Sequence, residues 1–364
     1  MHLLNTRLIL PSVLVLVTLF TLLTALAASA DRSTDMIAFA SEKWRGYNMF
    51  DLLVMDTHTL ETRTLTEGIG GAAYVGWSAD GQYLLFTDEP DVIRIDIATC
   101  TRVSLTDDRE GLHHSSAWGP SADRIAYLTS GGYFPEIMLS DGKGTAHRRL
   151  TDWFIYGAAP PAWSPDGTRL AVTIRGPEGP DIAVIDVETG VARNLTADAE
   201  RNDDIAWSPD GAWLAFNSGS VSNGFRLEML HIASGERRVI QSNSTFIGRP
   251  AWSADGERLA FVMREGRGAY HLYLYHNGTI ARLLDTPIAP SWLAWSPDDT
   301  RIALVRVEGH RAMPHIVDVT RRLMLPLSPR RALYLTAPQW RPADGEQSPP
   351  IPPETANCPA LREQ

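Results

Sequence analysis

Residues 162–167 read Ala162-Trp163-Ser164-Pro165-Asp166-Gly167, and the chain returns to this stretch repeatedly. AWSPDG recurs at 206–211, AWSADG at 251–256 and AWSPDD at 294–299, with looser copies GWSADG at 76–81, AWGPSAD at 117–123 and QWRPADG at 339–345. The motif tryptophans are Trp77, Trp118, Trp163, Trp207, Trp252, Trp295 and Trp340, spaced 41, 45, 44, 45, 43 and 45 residues apart. A period of about 44 residues holding several short strands belongs to propeller blades rather than to helical solenoids.

One unit shows the blade. Ala162-Trp163 ends a first strand, and Ser164-Pro165-Asp166-Gly167 suits a tight hairpin. Proline presets φ, aspartate accepts a local hydrogen bond and glycine takes the left-handed position. Residues 169–174 form a second strand, 182–186 a third and 192–196 a fourth. These strands are apolar on both faces, as stacked sheets require. A buried tryptophan hides on the order of 200 Å² of surface, roughly 5 kcal/mol of transfer free energy. The motif aspartates are read as turn formers, not metal ligands.

The terminal units are complementary. Trp340 opens a seventh unit, but after Gly345 the sequence EQSPPIPPETANCPALREQ offers no further strands. Residues 36–40, 51–56 and 62–66 look like second, third and fourth strands without a first. The expected fold is all-β: a seven-bladed propeller of four-stranded blades, closed by a C-terminal first strand pairing with N-terminal strands and so removing exposed edges. The propeller spans 31–345, preceded by residues 1–30 and followed by a Pro-rich tail at 346–364.

Residues 1–30 read as an export signal: Arg7, a long apolar run, then Ala28-Ser29-Ala30. An uncleaved anchor is the alternative, given the length of the run. Either way the remaining chain is expected in the periplasm, outside the cell or at its surface, and it touches a membrane only through residues 1–30. The net charge is −10, and no basic stripe offsets it, which argues against nucleic acid as a partner.

At AWSPDG-x-R-L-A-[FV], followed by an [IV]-x-[VIM]-D strand and an R-x-L-T strand, the sequence resembles the TolB-type (PD40, WD40-like) propeller family. The pattern stands at Trp163–Asp186 with Arg193–Thr196, and at Trp77–Asp96 with Leu105-Thr106. The resemblance covers about residues 36–345 and implies a fold more firmly than a function. TolB itself has six blades and an additional N-terminal α/β domain, where seven blades are counted here. Similar repeats form the propellers of prolyl oligopeptidase-like peptidases and of some pectic-oligosaccharide lyases. The peptidase reading needs a G-x-S-x-G elbow, which the sequence lacks.

The first-to-second and third-to-fourth strand turns are short and repetitive, whereas the second-to-third loops and the blade connections are long and irregular. Function on a rigid scaffold usually sits in such loops. The expectation is an exported, non-catalytic monomer without cofactor or metal, binding an envelope or extracellular protein or peptide through Trp44, Tyr47, Tyr133, Phe134, Trp153, Tyr156 and Trp292. His113, His114, Asp203, Asp204 and Arg249 should converge at the channel mouth. The alternative is a carbohydrate-active lyase or hydrolase using that mouth, with His113, His114, Asp203 and Asp204 around a metal. The two cysteines, Cys100 and Cys358, are expected to bond, as exported pairs commonly do. Cys100 takes the turn position held elsewhere by Gly190 and Gly235. The 13 residues from Gly345 to Cys358 can span about 43 Å.

Overall fold

The computed structural model describes residues 35–42, 49–70, 74–107, 109–131, 135–153, 155–156, 159–176, 179–198, 200–220, 222–264, 266, 268–288, 292–308, 311–327, 338–342 and 358. Among them are seven antiparallel sheets and no helix. Blade I is composite: Gln339–Trp340 pairs with Met36–Glu42, followed by Met49–Asp56 and Thr62–Gly70. Its register places Ile37 opposite Trp340 and Ala38 opposite Gln339. Blades II to VII follow in chain order, their inner strands ending at Trp77, Trp118, Trp163, Trp207, Trp252 and Trp295. The core is a series of apolar layers between neighbouring sheets, such as Ala126, Leu128, Leu170 and Val172 between blades III and IV.

The repeated letters each have an architectural task. In blade IV the Ser164 hydroxyl, fully buried, donates to Asp166 Oδ1 (2.5 Å) and accepts from the Arg169 amide (2.9 Å). Asp166 Oδ1 also accepts from the Thr168 amide at 3.0 Å. The same hydroxyl–carboxylate–amide hub recurs at Ser78, Ser208, Ser253 and Ser296. Thr196 ties the fourth strand to the third, its Oγ1 accepting from the Ile182 amide at 2.9 Å, and Thr106 and Thr151 do the same in blades II and III.

The tryptophans do more than fill space. Trp207 Nε1 donates to the Ala162 carbonyl of the preceding blade at 3.0 Å, and Trp163 to Ala117 at 3.2 Å. Trp295 donates to Ala251, Trp340 to Ala294 and Trp77 to Gln339, at 2.9, 2.9 and 3.1 Å. An indole N–H thus bridges blade to blade wherever the carbonyl before the neighbouring tryptophan is in reach. The buried Nε1 atoms of Trp118 and Trp252 make no such bond. The arginine six residues beyond the tryptophan adds a second link. Arg169 lies over the Trp207 ring, Arg258 over Trp295 and Arg301 over Trp340, at 5.0, 4.8 and 4.8 Å, a cation–π contact reinforcing each seam.

The closing blade is locked on both sides. Arg301 of blade VII pairs with Asp35. Arg341, buried beside Trp340, donates from Nε to the Gly81 carbonyl at 3.0 Å and lies over the Trp77 ring. Gly81 is required twice: its φ is +65°, and a Cβ there would meet Arg341 Nε at 2.7 Å. Where AWSPDD replaces the glycine, Asp299 accepts the left-handed φ of +57° and its carboxylate receives the Ala254 and Asp255 amides of blade VI.

Cys100 and Cys358 are bonded, with Cα atoms 5.4 Å apart. Cys100 sits at φ +60° in the third-to-fourth strand turn of blade II, where Gly190 and Gly235 have +73° and +74°. The Cys358 amide donates to the Thr64 carbonyl on the outer strand of blade I at 3.3 Å. The link therefore ties the chain beyond the closing strand to blade II, and Arg63 donates to the Cys100 sulfur beneath it.

Candidate binding site at the channel mouth

In blades III, V and VI the inner strand is interrupted three residues before its tryptophan. In blades III and V the register slips at His114/Ala117 and Asp203/Ala206, with Ser115 and Asp204 at φ +52° and +56°. In blade VI the strand breaks between Phe246–Ile247 and Ala251–Trp252, leaving Arg249 in the gap. Aligning the repeats on tryptophan, this column reads Tyr74, Ser115, Pro160, Asp204, Arg249 and Trp292. A break in the ladder frees backbone and re-aims a side chain, here toward the axis.

Contacts across blades follow. The Tyr74 and Trp292 rings lie 5.2 Å apart, and the Arg249 guanidinium sits 4.6 Å over the Trp292 ring. Arg249 also donates to the Ile205 carbonyl at 3.1 Å. Burial pulls its pKa down from the usual arginine range, with Asp204 and Tyr74 opposing. Asp204 accepts from Asn217 Nδ2 at 3.0 Å. Burial, then the neighbouring Asp203 carboxylate, pushes the Asp204 pKa up, against Arg249 and Asn217. Both shifts express the cost of taking charge out of water, offset by the partner. Nearer solvent, Arg201 pairs with Asp203 at 2.6 Å, and Tyr156 is 45% exposed. Tyr156, Pro160, Thr173, Asp204 and Arg249 line one shallow concavity.

The other expected residues go elsewhere. His113 turns into the seam between blades II and III, fully buried. His114 bonds to Ser115 Oγ and Ser130 Oγ at 2.9 and 3.1 Å. The four side chains imagined around a metal are thus not assembled: among the described residues no three His, Cys, Asp or Glu side chains are placed to hold a metal ion. Adjacent residues on a strand point to opposite faces, which separates the two histidines. Trp153 is half-buried against the apolar layer of blades III and IV, and Trp292 is held in the stack just described. Trp44, Tyr47, Tyr133 and Phe134 lie outside the described residues. Tyr74 was missed by sequence reasoning, although the column three before the tryptophan names it.

Residues 93–224 match the model of the TolB beta propeller domain, PD40. The matched stretch carries TolB-type propeller repeats. An uncharacterized protein of Agrobacterium fabrum is 26% identical over 249 residues, which is 63% of this chain and 83% of that protein. Among solved structures, TolB from Acinetobacter baumannii superposes with a TM-score of 0.53 at 19% identity, over 88% of this chain and 85% of that chain. An oligogalacturonate lyase in complex with manganese gives 0.60 at 16% identity, over 80% and 84%. A Mycobacterium tuberculosis puromycin-hydrolyzing peptidase gives 0.63 at 18%, over 85% of this chain and 55% of the peptidase. At these identities the likeness is one of fold.

Proposed function

We propose that this propeller is an exported, non-catalytic scaffold that binds an envelope or extracellular protein or peptide across its loop-rich face, around the channel mouth. The observation that carries the reading is the packed stack of Tyr74, Trp292 and Arg249, with Asp204 balancing the arginine. These groups spend their aromatic faces and charges on one another, which makes a rigid platform. Exposed Tyr156 and the Arg201–Asp203 pair stand beside it as contact groups, of the kinds enriched where partners dock. The opposite face carries turns whose polar atoms are consumed by the serine–aspartate hubs. Export rests on the pattern of residues 1–30.

A photo-crosslinking residue at Tyr156 in the full chain, expressed in its native host, tests this. The expected result is one dominant crosslinked partner, lost when Tyr47, Tyr133 and Phe134 are replaced together while the melting temperature holds. Absence of any crosslinked species, with purified protein instead turning over an oligosaccharide, would replace the scaffold reading with the carbohydrate-active one.

A further inference from the structure

The link between Cys100 and Cys358 has a guanidinium set against it. Arg63, on the outer strand of blade I, directs Nη2 at both sulfurs, 2.7 Å from Cys100 Sγ and 3.5 Å from Cys358 Sγ. Its Nη1 donates to the Ile97 carbonyl of blade II at 3.2 Å, which holds the group in place. The sulfurs adjoin the apolar layer of blades I and II, which includes Val54, Leu65, Ile95 and Ile97. Burial pulls the Arg63 pKa down from the usual arginine range. Disulfide sulfur is a weak acceptor, whereas a thiolate carries a full charge. A guanidinium in this seam therefore gains its better partner only when the link opens.

Two further observations bear on what the link does. Cys100 stands at φ +60° at a turn site that glycine takes in blades IV and V, a conformation disfavoured for other residues. Blade I is completed by only two paired residues, Gln339 and Trp340, against Ala38 and Ile37. The Cys358 amide then donates to the Thr64 carbonyl on the outer strand of the same blade. The covalent tie thus fastens the chain just beyond a very short closing strand.

We propose that the Cys100–Cys358 link is a reducible latch on the closed ring, opened by a protein dithiol of the C-x-x-C class. A thiolate of the dithiol attacks the sulfur of Cys100, the less buried of the two cysteines. The S–S bond breaks, and Cys358 leaves as a thiolate beside Arg63. The second thiol of the reductant then attacks the reductant's own sulfur in the mixed disulfide, closing its disulfide and releasing Cys100 as a thiolate against Arg63. Two electrons pass to the protein. Of the two protons the dithiol gives up, one goes to Cys358 and one to solvent. Stabilising the thiolate speeds its departure and favours the reduced form. No residue of the channel mouth takes part, so the latch and the scaffold reading stand or fall separately.

Equilibration of the full chain in mixtures of reduced and oxidised dithiothreitol, with thiols alkylated and counted by mass spectrometry, tests this. Arg63→Gln removes the charge and keeps a polar side chain. It is expected to shift the equilibrium about tenfold toward the disulfide, a midpoint about 30 mV more negative, and Arg63→Lys to restore most of the loss. A packing role for Arg63 would weaken both redox states alike, so an unchanged midpoint in Arg63→Gln would overturn the proposal. In Cys358→Ser, the Cys100 thiol should react with iodoacetamide half-maximally below the ordinary value of about pH 8.5, and return to it when Arg63→Gln is added. An ordinary profile in the single variant would count equally against the proposal. On reduction of the parent, amide exchange in Met36–Glu42 should speed up about tenfold; equal exchange in both redox states would show that the link latches nothing.

Discussion

Replacing Trp207 by Phe should cost more stability than replacing Trp252 by Phe, because only one of these indoles bridges two blades. Both rings close an inner strand, and both substitutions shrink a bicyclic ring to a phenyl, so that loss is shared. Trp207→Phe also removes the 3.0 Å bond to the Ala162 carbonyl, worth about 1–1.5 kcal/mol. It weakens the stacking of Arg169 as well, by about 0.5 kcal/mol. Trp252 Nε1 has no partner, and removing an unsatisfied buried donor is nearly neutral. The arginine of the motif is absent before it, since Trp213 occupies that place in blade V. The expected difference is therefore about 1.5–2 kcal/mol. Urea unfolding of both variants and the parent, with the disulfide intact, measures it as a midpoint shift at common slope. Costs equal to within about 0.5 kcal/mol would refute the claim that indole N–H bridges stabilise the seams.

Three further outcomes follow from the same contacts. Trp340→Ala should destabilise the oxidised protein by about 3–5 kcal/mol, since it empties a buried site on the closing strand and cuts its bond to Ala294 of blade VII; an unchanged unfolding midpoint would contradict closure through that strand. The Ser164 hydroxyl bond, with the Thr168 bonds, holds Asp166 down at about 2, the Ser208 hydroxyl lowers Asp210, and the Thr189 bonds lower Asp186. Carboxyls depressed by folding stabilise above their unfolded value near 4 and lose that contribution as pH falls through the folded one. The melting temperature should thus drop between about pH 4 and 2, less steeply in Asp166→Asn, and a parallel decline in the variant would remove Asp166 from the account. Finally, denatured, unreduced protein should show no reactive thiol, and Cys358→Ala should cost about 2–4 kcal/mol; two reactive thiols per chain would rule the link out.

The repeat alone determined the architecture. Seven tryptophans at one period, with three strands of a blade at one end and its first strand at the other, leave a closed ring of seven sheets as the arrangement that buries every apolar strand face. Turn chemistry was equally legible, because SPDG reports its own geometry through proline, aspartate and glycine. The serine hub and the indole bridges were not legible, since they depend on which backbone atom of a neighbouring strand comes within 3 Å. At the mouth, sequence order pointed to Asp204 and Arg249, but local breaks in the inner strands of blades V and VI decided where those side chains go. His113 shows the limit most clearly. From sequence it is one of two histidines leading into a strand; alternation across the pleat sends it into a seam rather than the channel, and only packing between blades II and III shows both its nitrogens buried without a hydrogen-bond partner. Periodicity is a property of the chain, whereas a site is made by residues from different blades meeting, and the distances between them exist only once the ring has closed.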